Sequence, residues 1–190
     1  MPDKTPQQPT DDAALLAALA NIQQRGAIGD VSLVEAVAHA EQFVAALPPT
    51  VQRLADLGSG GGLPGLVIAV RRPELAITLV ERRRSRADLL QRAVRSLRLD
   101  HTDVFSGDVR ELAETQPRSF DVVTARSFAA PEITARWAGI LLVSGGMLVV
   151  SEPPQPTAER WPEPVLGAAG LTDLGPMGGI RRFRRAACAD

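Results

Sequence analysis

The stretch Asp56-Leu57-Gly58-Ser59-Gly60-Gly61-Gly62-Leu63-Pro64-Gly65 constrains this chain more than any other. A short apolar run, Val51 to Leu57, leads into it, and a second, Leu66 to Val70, leads out. The pattern predicts a strand, a glycine-rich turn and a helix. Glycines at 58, 60, 61 and 62 admit positive φ and remove the Cβ atoms that hold a ligand off the backbone. The turn opens onto a helix N-terminus with free N–H groups. It suits a nucleotide-like ligand resting on main chain. The alternative is a tight strand–helix connection that binds nothing, for which so many glycines cost backbone entropy without packing anything.

The loop's chemistry narrows the ligand. A triphosphate loop needs Gly-Lys-Ser or Gly-Lys-Thr, and this loop holds no lysine. The dinucleotide pattern fails at its packing glycine, because the sixth position counted from Gly58 is Leu63. Asp56 precedes the first glycine, and no basic residue lies in the loop. A pyrophosphate is repelled by such a carboxylate, whereas an ammonium or sulfonium is attracted. S-adenosylmethionine carries both cations, so it is the expected cofactor.

The rest of the chain alternates strand and helix. Residues 1–12 are polar and read as a disordered tail. Residues 13–48 read as a two-helix cap packed on the same domain. Asp11 and Asp12 cap the first helix, which Gly26 stops. Ser32 and Glu35 are spaced as a capping box for the second. Residues 49–190 hold the main domain. Strands are expected over Ala76 to Val80, Thr102 to Phe105, Phe120 to Thr124 and Met147 to Val150. Helices are expected through Leu89 to Leu97, at Val109 to Ala113 and from Pro131 to Leu141. Gly145-Gly146 reads as a turn, 155–164 as loop and Val165 to Ala169 as a short helix. Leu171 to Leu174 and Ile180 to Arg185 read as a closing antiparallel pair. This alternation predicts an α/β domain with a largely parallel sheet.

Composition adds bounds. Hydrophobic residues make up 45% of 190, enough for one real core, and the net charge of −1 provides no global field toward nucleic acid. The lone Cys188 allows no internal disulfide and fits a reducing compartment. No apolar run reaches membrane-spanning length. A cytoplasmic protein without membrane contact is expected. No metal-ligand spacing links His39 or His101 with Cys188, and no metal is expected. Nothing in the pattern fixes an oligomeric state.

Ligands of open parallel sheets bind beyond the carboxyl ends of the strands. That rule selects Asp56, Gly58, Gly60, Gly62, Glu81, Asp108, Arg126 and Glu152. Glu81, 23 residues after Gly58, can accept both ribose hydroxyls of an adenosine. Asp108 can accept from an adenine amino group or cap the following helix. Arg126 can bind the donor's carboxylate, hold a loop, meet a substrate phosphate, or pair with Asp121 or Glu132.

The glycine loop, the strand ending in Glu81, and Phe120-Asp121-Val122-Val123-Thr124-Ala125-Arg126-Ser127-Phe128-Ala129 together resemble the GidB (RsmG) family. Its members are bacterial small-subunit ribosomal RNA methyltransferases acting on a guanine N7. The resemblance runs from about Ser32 to Val150. It implies a Rossmann-like class I S-adenosylmethionine-dependent methyltransferase sheet, here with its small N-terminal helical cap. It also implies that Gly58, Leu63, Val109, Arg110 and Arg126 contact the donor, and that the partner is ribosomal RNA or the small ribosomal subunit. His39 lies where the family carries a His-x-x-Asp-Ser-Leu segment. Two departures stand out. The family's Asn-Leu-Thr stretch is missing, and Ser151-Glu152-Pro153-Pro154 replaces its Lys-Gly. A carboxylate at the pocket mouth repels RNA phosphate, which favours a small-molecule or protein acceptor. A donor-binding module without catalysis is the third reading.

No nucleophile–base pair stands out, and no catalytic residue is assigned. Guanine N7 presents an in-plane lone pair and needs no base, so proximity and alignment supply the acceleration. Two arginine groups are candidates for RNA contact. Arg82, Arg83, Arg84 and Arg86 sit at a helix start, where they serve either a ligand or a solvated face. Arg181, Arg182, Arg184 and Arg185 flank Phe183 and serve as backbone contacts or edge-strand gatekeepers. Phe128 reads as core rather than as a stacking surface.

Overall fold

The computed structural model describes residues 9–155 and 160–187, with side chains from residue 12. Residues 1–8 of the expected tail, and Cys188, lie outside the described residues. The elements in chain order are α1 (Pro9–Gln24), α2 (Leu33–Ala46), β1 (Arg53–Leu57), α3 (Gly65–Arg71), β2 (Ala76–Glu81), α4 (Arg84–Ser96) and β3 (Thr102–Ser106). They continue with α5 (Val109–Thr115), β4 (Phe120–Ala125), α6 (Pro131–Leu141), β5 (Leu142–Ser151), α7 (Glu163–Ala168), β6 (Leu171–Met177) and β7 (Ile180–Arg185). One seven-stranded sheet runs in the order β3-β2-β1-β4-β5-β7-β6. β1 to β5 are mutually parallel, and β7 runs antiparallel to both β5 and β6.

Period-two alternation divides the strands between two apolar layers. Leu54 and Val122 face one layer, with Leu15, Leu19, Phe43, Leu66 and Leu90 from α1 to α4. Ala55, Leu57, Val123 and Leu148 face the other, with Leu112, Leu141 and Leu166 from α5 to α7. The two N-terminal helices thus share a core with the sheet. Ser32 caps α2 as its spacing predicts, its Oγ accepting from the Glu35 N–H at 3.3 Å.

Three local expectations change. α1 starts at Pro9, ahead of the expected Asp11–Asp12 cap, and Asp12 instead pairs with Arg71 at 2.6 Å. β5 begins at Leu142 and passes through Gly145-Gly146, because a register shift against β4 between Phe120 and Val122 absorbs the glycines as a bulge. β7 is an interior strand between β5 and β6, so its arginines guard no sheet edge.

Candidate functional site

The site grows from the end of β1. Gly58 turns the chain at φ +65°, a left-handed conformation that favours glycine. A Cβ there would lie 2.7 Å from Phe128 Cδ2, so Phe128 rests directly on this backbone. The Ser59 N–H donates to the Val80 carbonyl at 3.0 Å, tying the loop to β2. Glu81 completes the tie. Its Oε2 accepts from the Gly60 N–H at 3.0 Å and its Oε1 from the Arg83 N–H at 2.7 Å. Two charge-assisted bonds explain how a carboxylate 5% exposed is tolerated.

Beyond these strand ends lies a cavity of about 340 Å³. Gly58, Val80, Glu81, Gly107, Asp108 and Val109 line one side, with Arg82, Arg83 and Arg86 on its rim. Phe128, Ala129, Ile133 and Trp137 line the other. Asp108 caps α5, its Oδ1 accepting from the Arg110 N–H at 2.9 Å, while also facing the cavity. Both roles weighed for it are therefore compatible with one position.

A second group of polar side chains lies behind the loop. Asp56 is 1% exposed; its Oδ1 accepts from Thr124 Oγ1 at 2.7 Å. Asp56 Oδ2 and Arg126 Nη1 are both buried without a hydrogen-bond partner among the described residues. Burial pushes the Asp56 carboxyl up to about 6, against Thr124, Ser59, Gly65 and Arg126, all of which favour the charged form. Burial also lowers the Arg126 guanidinium, against the pull of Asp56. His39 of α2 is lowered by burial and then by the charge of Arg126, with the Gly179 backbone opposing. Asp121 is occupied by the Gln52 and Arg53 N–H groups at 2.9 Å each, so it accounts for no partner of Arg126.

The expected residues thus fall into three groups. Gly58, Glu81, Asp108 and Val109 share the cavity, and Gly60 joins them through Glu81. Gly62 packs on Leu66 and Leu90, and Leu63 is core, 8% exposed. Asp56 and Arg126 lie outside the cavity wall, and the exposed Arg110 side chain does not line it. An Asp56 rim charge is replaced by a buried carboxylate beneath the loop, and three arginines make the rim mixed rather than acidic. Phe128 is half-buried: it packs against the second apolar layer, in keeping with the core reading, and it also lines the site. Between Arg126, which does not line the cavity, and Phe128, which does, Ser127 adopts a left-handed φ of +52°. Sequence reasoning missed Ile133 and Trp137; the signal available was their spacing on one face of α6.

Glu152 also departs from expectation. Its side chain is 3% exposed. Its Oε1 accepts from Trp161 Nε1 at 2.7 Å, and Arg160 Nε lies 3.7 Å from Oε2. It is a buried anchor for the chain after β5, not a charge at the pocket mouth.

The family model for rRNA small subunit methyltransferase G, GidB, matches residues 17–159. The chain belongs to the GidB family. A ribosomal RNA small subunit methyltransferase G from Acidiphilium cryptum is 44% identical over 107 residues, 56% of this chain and 47% of that protein. The chain spans about half the length of the curated relatives it matches. Among solved structures, a predicted O-methyltransferase from Agrobacterium tumefaciens superposes with TM-score 0.58 at 26% identity, covering 78% of this chain and 81% of that one. The cyclase SpnF superposes with TM-score 0.69 at 19% identity, covering 95% and 96%. These likenesses establish the class I methyltransferase fold; a cyclase on the same fold means the reaction must be argued from the site.

The cavity fits an adenosyl ligand. It offers a strand-end carboxylate, a bare glycine backbone at Gly58, an apolar Val109 and an aromatic wall. The orphaned Asp56 Oδ2 and Arg126 Nη1 are opposite in charge, as an amino-acid zwitterion requires. A larger cavity of about 920 Å³ lies between α6 and α7, beside Pro117 and Arg118 at the amino end of β4, away from these groups. Among the described residues no cluster of three His, Cys, Asp or Glu can hold a metal, and no helix is long and apolar enough to cross a membrane.

Proposed function

We propose that this GidB-family protein transfers a methyl group from S-adenosylmethionine to a guanine N7 of small-subunit ribosomal RNA. The observation that carries the reading is Glu81, a buried carboxylate facing the cavity while it holds the Gly60 and Arg83 amides. In this reading Glu81 accepts from the ribose, Asp108 and Val109 hold the adenine, and Arg126 takes the carboxylate of the amino-acid end. When bound, the donor supplies an electrophilic methyl on a sulfonium.

The protein's own work is alignment. A guanine N7 brings its lone pair unprotonated, so no side chain has to remove a proton before attack. Holding the two reactants in line provides the acceleration. Phe128, seated on Gly58, provides an aromatic wall against which the ligand can rest. The objection raised by Glu152 weakens, because its charge is buried against Arg160 and Trp161 rather than turned toward RNA. The reading includes a cytoplasmic location, where ribosomal subunits are found.

The test is transfer of a labelled methyl group to small ribosomal subunits from a strain lacking the mark. Label in the ribosomal RNA is the expected result. Label only in protein or free metabolites removes RNA from the reading. Donor binding with no transfer to any fraction favours a binding module.

A further inference from the structure

The two arginine groups differ. In β7, Arg181 pairs with Asp173 and Arg185 donates from Nη1 to the Gly139 and Leu142 carbonyls, while Arg182 Nε is buried without a hydrogen-bond partner among the described residues. At the start of α4, Arg82, Arg83 and Arg84 are exposed, and no ion pair among the described residues engages them or Arg86. Four guanidinium groups in the five residues 82–86 repel one another. The first turn of α4 holds no acid, and its N-cap makes no side-chain hydrogen bond. The helix dipole adds to the cost. No ion pair among the described residues offsets this repulsion, and a sulfonium donor is repelled by it as well.

Its position gives it a use. Arg82, Arg83 and Arg86 rim the same cavity as Glu81. Across the opening stand Phe128, Ile133 and Trp137, with Ile133 48% exposed. Guanidinium groups on one side and flat apolar surface on the other match phosphates and unstacked bases. An acidic protein segment uses the first feature and leaves the second unused. With a net charge of −1, the attraction is local to this corner rather than a property of the whole surface.

We infer that Arg82, Arg83 and Arg86 grip the sugar–phosphate backbone of a single-stranded RNA segment at the mouth of the donor cavity, with its bases laid against Phe128 and Ile133. The inference rests on the methyltransferase reading only in taking this cavity as the donor site.

The experiment is fluorescence anisotropy of a labelled single-stranded RNA oligonucleotide with the full chain, titrated across salt concentrations. R82Q/R83Q/R86Q should weaken binding about tenfold or more at roughly 0.1 M salt. The slope of log affinity against log salt should become shallower by about 2, from about 0.7 per lost single-strand phosphate contact. R92Q/R95Q, which removes charge farther along the same helix, should change affinity less than about twofold. Phe128→Leu should weaken binding without changing the slope. Equal losses in both arginine variants, or an unchanged slope, overturn the inference. So does competition by polyglutamate as effective as by unlabelled RNA. Calorimetry with S-adenosylmethionine separates the two proposals. Donor affinity kept or tightened in the triple variant, with RNA lost, supports the inference. Donor binding by the wild type with no arginine dependence of RNA binding overturns it and leaves the methyltransferase reading standing. A wild type that binds RNA through the arginines but not the donor overturns that reading instead.

Discussion

Thr124 Oγ1 donates to Asp56 Oδ1 at 2.7 Å, and the two residues are register partners on the adjacent parallel strands β4 and β1. Each is within 1% of complete burial. Only one oxygen of the carboxylate is satisfied in this way, which is why burial dominates its titration. The folded-state pKa of about 6 exceeds the ordinary 3.8, so the folded protein holds this proton more tightly than the unfolded chain. The stability it contributes is complete below the unfolded pKa and is lost as pH rises through the folded one. The shift corresponds to about 3 kcal/mol. Asp56→Asn should remove this dependence. Urea denaturation of both proteins from pH 4.5 to 7 should show the wild type losing about 2 kcal/mol relative to the variant, the part of the shift that falls inside this window. A relative gain over that range contradicts the assignment.

Glu81 combines a structural tie with the proposed ribose contact. Glu81→Ala should weaken S-adenosylmethionine binding by about 1–3 kcal/mol in calorimetry, through lost charge-assisted hydrogen bonds. Glu81→Gln should do nearly as much harm. Its amide group has to face either the Gly60 or the Arg83 N–H, placing donor against donor where two bonds now stand. An unchanged affinity in the alanine variant removes Glu81 from the site.

These residues show what a sequence can disclose. Glu81 and Asp108 were legible because a parallel sheet puts its ligands at strand ends, and a strand end can be read from where an apolar run stops. The sheet itself followed from the same runs. The place of Phe128 on the cavity wall was not legible: it follows Ser127, whose left-handed φ no residue pattern announces. Asp56 was identified but misplaced: the alternation that buries Leu54 on the α1–α4 layer turns Asp56 to that same layer, beneath the loop. Glu152 depended on a tertiary contact nine residues along the chain, with Trp161, that spacing cannot reveal.

The Glu152 anchor predicts that a lysine, which the family pattern places after the fifth strand, does not transplant here. Glu152→Lys should destabilise the protein by about 3–5 kcal/mol, because a buried cation then faces Arg160 and leaves Trp161 Nε1 without an acceptor. Glu152→Gln keeps an acceptor for the indole and should cost about 1 kcal/mol. Urea denaturation followed by tryptophan fluorescence measures both. A lysine variant as stable as the wild type means that Trp161 does not depend on this carboxylate.

Gly61 predicts a coupling between the N-terminal helices and the glycine loop. A Cβ at this position would meet Ile28 Cγ1 at 2.1 Å and the Ala27 carbonyl oxygen at 2.9 Å. The connection between α1 and α2 therefore lies against the loop, and glycine is required for the close approach rather than for an unusual φ. Gly61→Ala should cost about 1–3 kcal/mol through overpacking. Truncating the facing side chain in Ile28→Ala removes the nearer obstacle but not the carbonyl. The double variant should therefore be about 1 kcal/mol more stable than the sum of the two single losses. Chemical denaturation of the four proteins gives the coupling. Strict additivity would mean that the helix connection moves away from the loop at no cost, and that the N-terminal helices do not hold the loop in place.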